Sequence, residues 1–271
     1  MRKSLFILIL ISFACKLVAQ TPNSDSSLLR MELKVDSLLI KLASHIITEK
    51  EKKELTGLVY TIQNTGLSKG EARDFDESLR LVDIALNSWV ALEDTLNEAN
   101  NRKFKGLLHG KLNNFREAKS QIDSAIKLFS SKQKDWGVAV SRFNLSKVYE
   151  IENKLDSALI YSLLATDYWS TTTDTGRVLI NNNQVMNVLI KLNDFDKAIQ
   201  IQKDTEKLLS KENLYWQSVI DFYYISYMLF AKLENKIMSE KYWTSYQNKL
   251  DSLKLNNINA RSTFLRFEDK K

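Results

Sequence analysis

The segment NFREAKSQIDSAI (114–126) returns forty residues later as KLDSALIYSLLAT (154–166). Forty residues further it returns as DFDKAIQIQKDTE (194–206). Aligned on Ala118, the same column holds Ala158 and Ala198, with Ser78 one period back and Met238 one period on. Three positions earlier stand Phe75, Phe115, Leu155, Phe195 and Asn235. Seven positions later stand Ala85, Ala125, Ala165, Thr205 and Ser245. Twelve positions before the alignment column stand Gly66, Gly106, Ser146, Met186 and Ser226. Small residues recurring in register let two helices approach closely, and a supersecondary unit recurring at fixed period is the signature of a solenoid.

Each period reads as two helices. In GVAVSRFNLSKVYEI, Val138, Val140, Leu145, Val148 and Tyr149 fall near helical spacing. ENK breaks the pattern, and LDSALIYSLLATDYW then sets Leu155, Ala158, Leu159, Leu163 and Tyr168 on one stripe. STTTDTG closes the unit, and Asp135 and Asp174 are expected N-caps. The chain has seven glycines and one proline, too few for the turns of a β-rich protein of this length. Before the array, Leu28, Val35, Leu38, Leu39, Leu42 and Ile46 predict an N-terminal helix on the first repeat. After it, residues 255–271 are polar and break the period, as a capping segment or tail.

These columns resemble the tetratricopeptide repeat (TPR). The matching residues are Gly106, Ser146 and Ser226 in mid helix A, with Tyr149 three after Ser146. Asn113, Asn153 and Asn193 match the turn, followed by Phe115 and Phe195. Ala118 with Ala125, and Ala158 with Ala165, match helix B. The period exceeds the usual 34 residues and is similar to the longer kinesin light chain-like variant and to bacterial exported TPR proteins. No proline stands at the repeat end, and Met186 and Met238 occupy small-residue columns. The resemblance covers Glu54 to Leu253. It implies an all-α, right-handed superhelical solenoid of helix-turn-helix units. The expected organisation is a signal peptide (1–19), an N-terminal helix (20–50), about five repeats (51–254) and the terminal segment (255–271).

The first residues, MRKSLFILILISFACKLVAQ, place Arg2 and Lys3 before an apolar run too short to span a bilayer comfortably. Export is expected, with cleavage after Ala19. The rival is lipidation at Cys15, the only cysteine, which would anchor the chain to a membrane. Cleavage leaves no disulfide, so packing alone must stabilise the fold. It also removes Arg2, Lys3 and Lys16, taking the formal charge from +6 to +3. The remaining charges are mixed in sign and read as solvated helix faces, with no nucleic-acid partner implied.

No catalytic constellation emerges. His45 and His109 are the only histidines, and His109 shares the column of Tyr149, as a packed residue. Without a cysteine or histidine cluster no metal or other cofactor is expected. No glycine-rich phosphate loop and no G-x-S-x-G elbow occurs. The pairs Asp74/Asp76 and Asp194/Asp196 flank turns and read as caps or solvated loop charges rather than an acid–base pair. NLS at 144–146 matches a glycosylation triplet inside a predicted helix. The aromatic run LYWQSVIDFYYISYMLF (214–230) reads as the core of the last repeat or as a patch for a partner.

The function expected is therefore binding of a protein or peptide in a groove lined by helix A, not catalysis. The TPR register implies groove positions Lys103, Phe143, Asn183 and Tyr223, then Lys147, Asn187 and Tyr227, beside a column of Asn144 and Gln184. A carboxamide offers donor and acceptor to an extended backbone, the part asparagine plays in kinesin light chain-like repeats. Asn144, Asn183 and Asn187 carry a helix-propensity cost, and a plain solvent-facing role explains them equally. The two-carboxylate clamp of chaperone-binding TPRs is not matched, since Leu107 stands where asparagine would be needed. Two alternatives stand beside this reading. One is a stand-alone or truncated extracytoplasmic input domain of a bacterial TPR signalling protein, and the other is an envelope-assembly lipoprotein.

Overall fold

The computed structural model describes residues 26–212 and 214–254. The signal peptide, Cys15 and residues 255–271 lie outside the described residues. Among the described residues every regular element is helical. In chain order these are α1 (Ser26–Ala43), α2 (Glu49–Glu71), α3 (Phe75–Ala91), α4 (Thr95–Lys111), α5 (Phe115–Ser131) and α6 (Asp135–Ile151). There follow α7 (Leu155–Ser170), α8 (Thr175–Lys191), α9 (Phe195–Glu206), a 3₁₀ turn (Lys207–Ser210), α10 (Trp216–Lys232) and α11 (Lys236–Lys254). The helix A/helix B pairs are α2/α3, α4/α5, α6/α7, α8/α9 and α10/α11. The chain forms two compact units divided between Gly137 and Val138, inside α6.

The backbone repeats twice as often as the side chains. Helices α3 to α6 are each 17 residues long and are separated by three residues. Arg73, Glu93, Asn113, Gln133 and Asn153, twenty residues apart, all adopt left-handed φ between 53° and 65°. After each, the next backbone N–H closes on a carbonyl five residues back. The pairs are Asp74 to Lys69 (2.9 Å), Asp94 to Trp89 (3.0 Å), Asn114 to His109 (2.8 Å), Lys134 to Phe129 (2.9 Å) and Lys154 to Tyr149 (2.8 Å). This is the Schellman closure, which satisfies carbonyls left open at a helix end. The turn inside a hairpin and the turn between hairpins are thus the same.

Side chains distinguish the two. The columns twelve residues apart face each other inside each hairpin. In α2/α3, Ser78 Oγ donates to the Gly66 carbonyl at 2.7 Å. In α6/α7, Ser146 Oγ donates to the Ala158 carbonyl at 2.8 Å. In α4/α5, a Cβ on Gly106 would stand 2.7 Å from the Ala118 carbonyl and 2.5 Å from Ile122 Cγ1. Ser78, Ala118, Ala158, Ala198, Ala85, Ala125, Ala165 and Thr205 are all fully buried. Phe75, Phe115, Leu155 and Phe195 each open helix B and are half-buried at the turn.

The last hairpins depart from the period. Helix α9 stops at Glu206 after 12 residues and tightens into the 3₁₀ turn. Helix α11 begins at Lys236, one residue later than the period places it after Phe195. Met238 and Ser245 are then only half-buried, and Tyr242 and Tyr246 fill the space instead. The aromatic run folds as α10, with Ile220, Phe222, Tyr224, Ile225, Leu229 and Phe230 buried. On α7, Leu163 is 46% exposed beside Ile160 and Leu164, so the apolar stripe expected there is not wholly inward.

The first unit is centred on Val35, Leu38, Leu55, Val59, Ile62, Leu81 and Trp89. Helix α1 is also pinned by charge. Arg80 on α3 donates to both oxygens of Glu32 on α1 at 2.8 Å, and to Glu77 at 2.7 and 2.8 Å. Glu32 is 3% exposed, and its burial is tolerable because the bidentate pair answers it. The second unit's core gathers Leu179, Val185, Leu189, Ile220, Phe222, Leu229 and Tyr242.

Candidate peptide-binding face

Helices α6, α8 and α10 are the helix A elements of the second unit. Most of the expected site residues lie on them. Phe143 is half-buried on α6, and Lys147 Nζ stands 5.7 Å from its ring centroid. Asn144 is buried on α6. On α8, Asn183, Gln184 and Asn187 are buried. On α10, Tyr223 and Tyr227 are half-buried. Lys103 belongs to the first unit, on α4, where Nζ donates to Asn100 Oδ1 at 3.1 Å.

The carboxamides of α8 join it to its neighbours on both sides. Asn183 Nδ2 donates to the Ser218 carbonyl of α10 at 2.8 Å. Gln184 Nε2 donates to Glu150 Oε2 at 2.7 Å and to Ser146 Oγ at 3.2 Å. Asn187 Nδ2 and Lys191 Nζ both donate to Glu150 Oε1 at 2.7 Å. Lys147 Nζ stands 4.0 Å from Glu150 Oε2. Glu150 on α6 is therefore the hub, with a side chain 10% exposed.

Burial pushes the Glu150 carboxyl up, yet Lys147, Lys191 and the hydrogen bonds from Lys191 and Gln184 together outweigh it. The group is held below its ordinary value and stays ionised. Burial lowers the Lys147 ammonium against the pull of Glu150 and Asp221. With the amide hydrogens spent on Glu150 and Ser218, the carbonyl oxygens of Asn183 and Gln184 are buried without a partner. Turning either amide over would set oxygen against oxygen, so the orientation is fixed by the donors' partners.

The tyrosines face aromatic neighbours. Tyr227 meets Trp243 at 5.0 Å and Tyr224 at 6.1 Å between ring centroids. Trp243 stacks on Tyr246 at 5.4 Å and is 37% exposed. Burial and the Glu206 carboxylate push the Tyr223 phenol up, with Lys241 opposing.

Sequence reasoning missed Glu150, Lys191, Ser218 and Trp243. The only local signal for Glu150 is its position three residues after Lys147. Its donors lie 34 to 41 residues away. Of the acids expected at the turns, Asp174 and Asp194 cap their helices, whereas Asp74 makes no side-chain cap bond and Asp135 is the first residue of α6. Asp194 Oδ1 accepts from the Lys197 backbone N–H, and Asp174 Oδ1 from that of Arg177. Asp74 pairs with Lys69 at 3.2 Å. His109 Nδ1 is buried without a partner; burial, then Lys105, lowers the imidazole's pKa, while Glu117 and Asp83 oppose them. Among the described residues no cluster of three potential ligands could hold a metal ion, and no helix is long and apolar enough to cross a membrane.

Paired helices closed by one recurrent turn, with small residues at each crossing, define a helical-repeat scaffold. No family model matches the chain, and no curated protein matches it. Among solved structures it is similar to BtubC (BKLC) from P. vanneervenii, with a TM-score of 0.63. The similarity covers 88% of this chain and 97% of that one at 14% identity. At that identity the likeness establishes the fold alone: a helical repeat.

Proposed function

We propose that the chain is an exported TPR scaffold that binds a protein or peptide on the helix A face of α6, α8 and α10, without catalysis. Export rests on the charged and apolar N-terminal segment. Binding rests on one observation above the rest. Glu150 and the α8 carboxamides lock three successive A helices together beneath half-buried Phe143, Lys147, Tyr223 and Tyr227. A face held from below and carrying aromatic and cationic side chains binds at low ordering cost, because its geometry exists before the partner arrives. Asn144, Asn183, Gln184 and Asn187 support that surface from within, and Lys103 is the corresponding position in the first unit. A helical-repeat fold suits protein interaction, and no constellation for bond-making chemistry accompanies it.

The test is a pull-down from the envelope of the exporting cell with protein from Gln20 onward. A Phe143→Ala, Tyr223→Ser variant is run beside an Ile160→Ser, Leu164→Ser variant of the outer side of α7. A partner lost only from the first variant supports the reading. A partner retained by it and lost from the second contradicts the assignment of the face.

A further inference from the structure

One cluster in the second unit takes no part in the helix A network. Trp169 lies in the last turn of α7, Arg177 in the first turn of α8, and Tyr215 precedes α10. The Arg177 guanidinium carbon stands 5.6 Å from the Trp169 ring centroid and 5.9 Å from that of Tyr215. Tyr168 braces the same indole edge-on at 4.9 Å. A guanidinium held by aromatic faces keeps its in-plane N–H fork available, and that fork matches a carboxylate.

Among the described residues no carboxylate forms an ion pair with Arg177. Asp174, the acid nearest in sequence, spends Oδ1 on the Arg177 backbone N–H at 2.9 Å as the cap of α8. Trp169 is 7% exposed, and its indole Nε1 is buried with no acceptor. A buried donor without a partner is uncommon in a folded protein and calls for an explanation. Two donor groups thus lie in one stack with no acceptor, and Tyr215, 44% exposed, brings the stack to the surface.

We propose that Arg177 and Trp169 form a subsite for a carboxylate, the free C-terminus or an acidic side chain of a bound peptide. Arg177 lies on α8, the helix that also carries Asn183, Gln184 and Asn187 of the candidate face. The inference deepens the binding reading by naming a charge on the partner, and a small carboxylate tests it without that partner. Failure of one therefore leaves the other standing.

The experiment uses the full exported chain labelled with ¹⁵N, with the Trp169 indole resonance identified through Trp169→Phe. N-acetylglycine, N-acetylglycinamide and inorganic phosphate are titrated separately. The expected result is a saturable shift of the Trp169 indole N–H with N-acetylglycine, none with the amide, and binding weakened at least about tenfold in Arg177→Gln. Circular dichroism of Arg177→Gln shows whether the helices persist, and Arg177→Lys tests whether charge without the fork suffices. No saturable shift, or an equal one in a folded Arg177→Gln, overturns the proposal. So does a response to phosphate without one to the carboxylate.

Discussion

The Ser146 hydroxyl donates to the carbonyl of Ala158, twelve residues on, at 2.8 Å. Two hairpins earlier in the array, Ser78 makes the converse bond to Gly66. The helix that supplies the hydroxyl changes while the crossing stays, so the repeat conserves a distance of approach and not a residue.

That crossing predicts opposite outcomes for two glycines. A Cβ at Gly106 would press on the Ala118 carbonyl at 2.7 Å, and backbone cannot yield. Gly106→Ala should cost about 2 kcal/mol through overpacking. Nothing stands within 4 Å of a Cβ at Gly57. Gly57→Ala should gain about 0.5–1 kcal/mol from helix propensity. Urea unfolding of the two variants checks the signs.

Left-handed residues at the turns are a reserve of stability. Arg73 and Glu93 hold φ of 65° and 58°, where a Cβ is costly. Arg73→Gly and Glu93→Gly should each stabilise by about 1 kcal/mol, net of the unfolded-state entropy glycine adds. A fall in the unfolding midpoint for both would contradict the Schellman assignment.

Helix α1 depends on one guanidinium. Arg80→Ala would leave Glu32 buried without its partner, at a cost of about 3–5 kcal/mol. Hydrogen exchange should show residues 26–43 losing protection before α4 and α5. Uniform loss along the first unit would mean that α1 is not separately secured.

His109 makes stability sensitive to mild acid. Its folded pKa lies below 6.5 because burial, and then Lys105, disfavour the cation more than Glu117 and Asp83 favour it. The neutral form is the folded one, so the contribution is full above the unfolded value. It is lost as pH falls through the folded value. His109→Gln should flatten the pH dependence of the melting temperature as pH falls below about 6.5, relative to the parent.

The period was legible because it is written in side-chain size: Ala118, Ala158 and Ala198 reveal the crossing without any structure. The twenty-residue half-period was not, because Arg73, Glu93 and Gln133 carry no turn signature and the closing bonds are between backbone groups. The candidate face was legible as positions but not as contacts. Asn183, Gln184 and Asn187 stand where a groove was expected, yet each uses its amide on a neighbouring helix. Their partners Glu150 and Ser218 lie a repeat away, where spacing alone says nothing about side-chain direction. Leu163 matched the apolar stripe and still faces outward, because a 3.6-residue period places a residue near a face without fixing which edge is covered.

Two apolar surfaces of the second unit compete to be the binding face, and site-specific photocrosslinking separates them. A benzophenone side chain at Phe143 reports on the helix A face, and one at Ile160, 56% exposed, reports on the outer side of α7. Crosslinking in the native cell should yield a discrete protein adduct from position 143 and none from position 160. An adduct from position 160 alone would contradict the account.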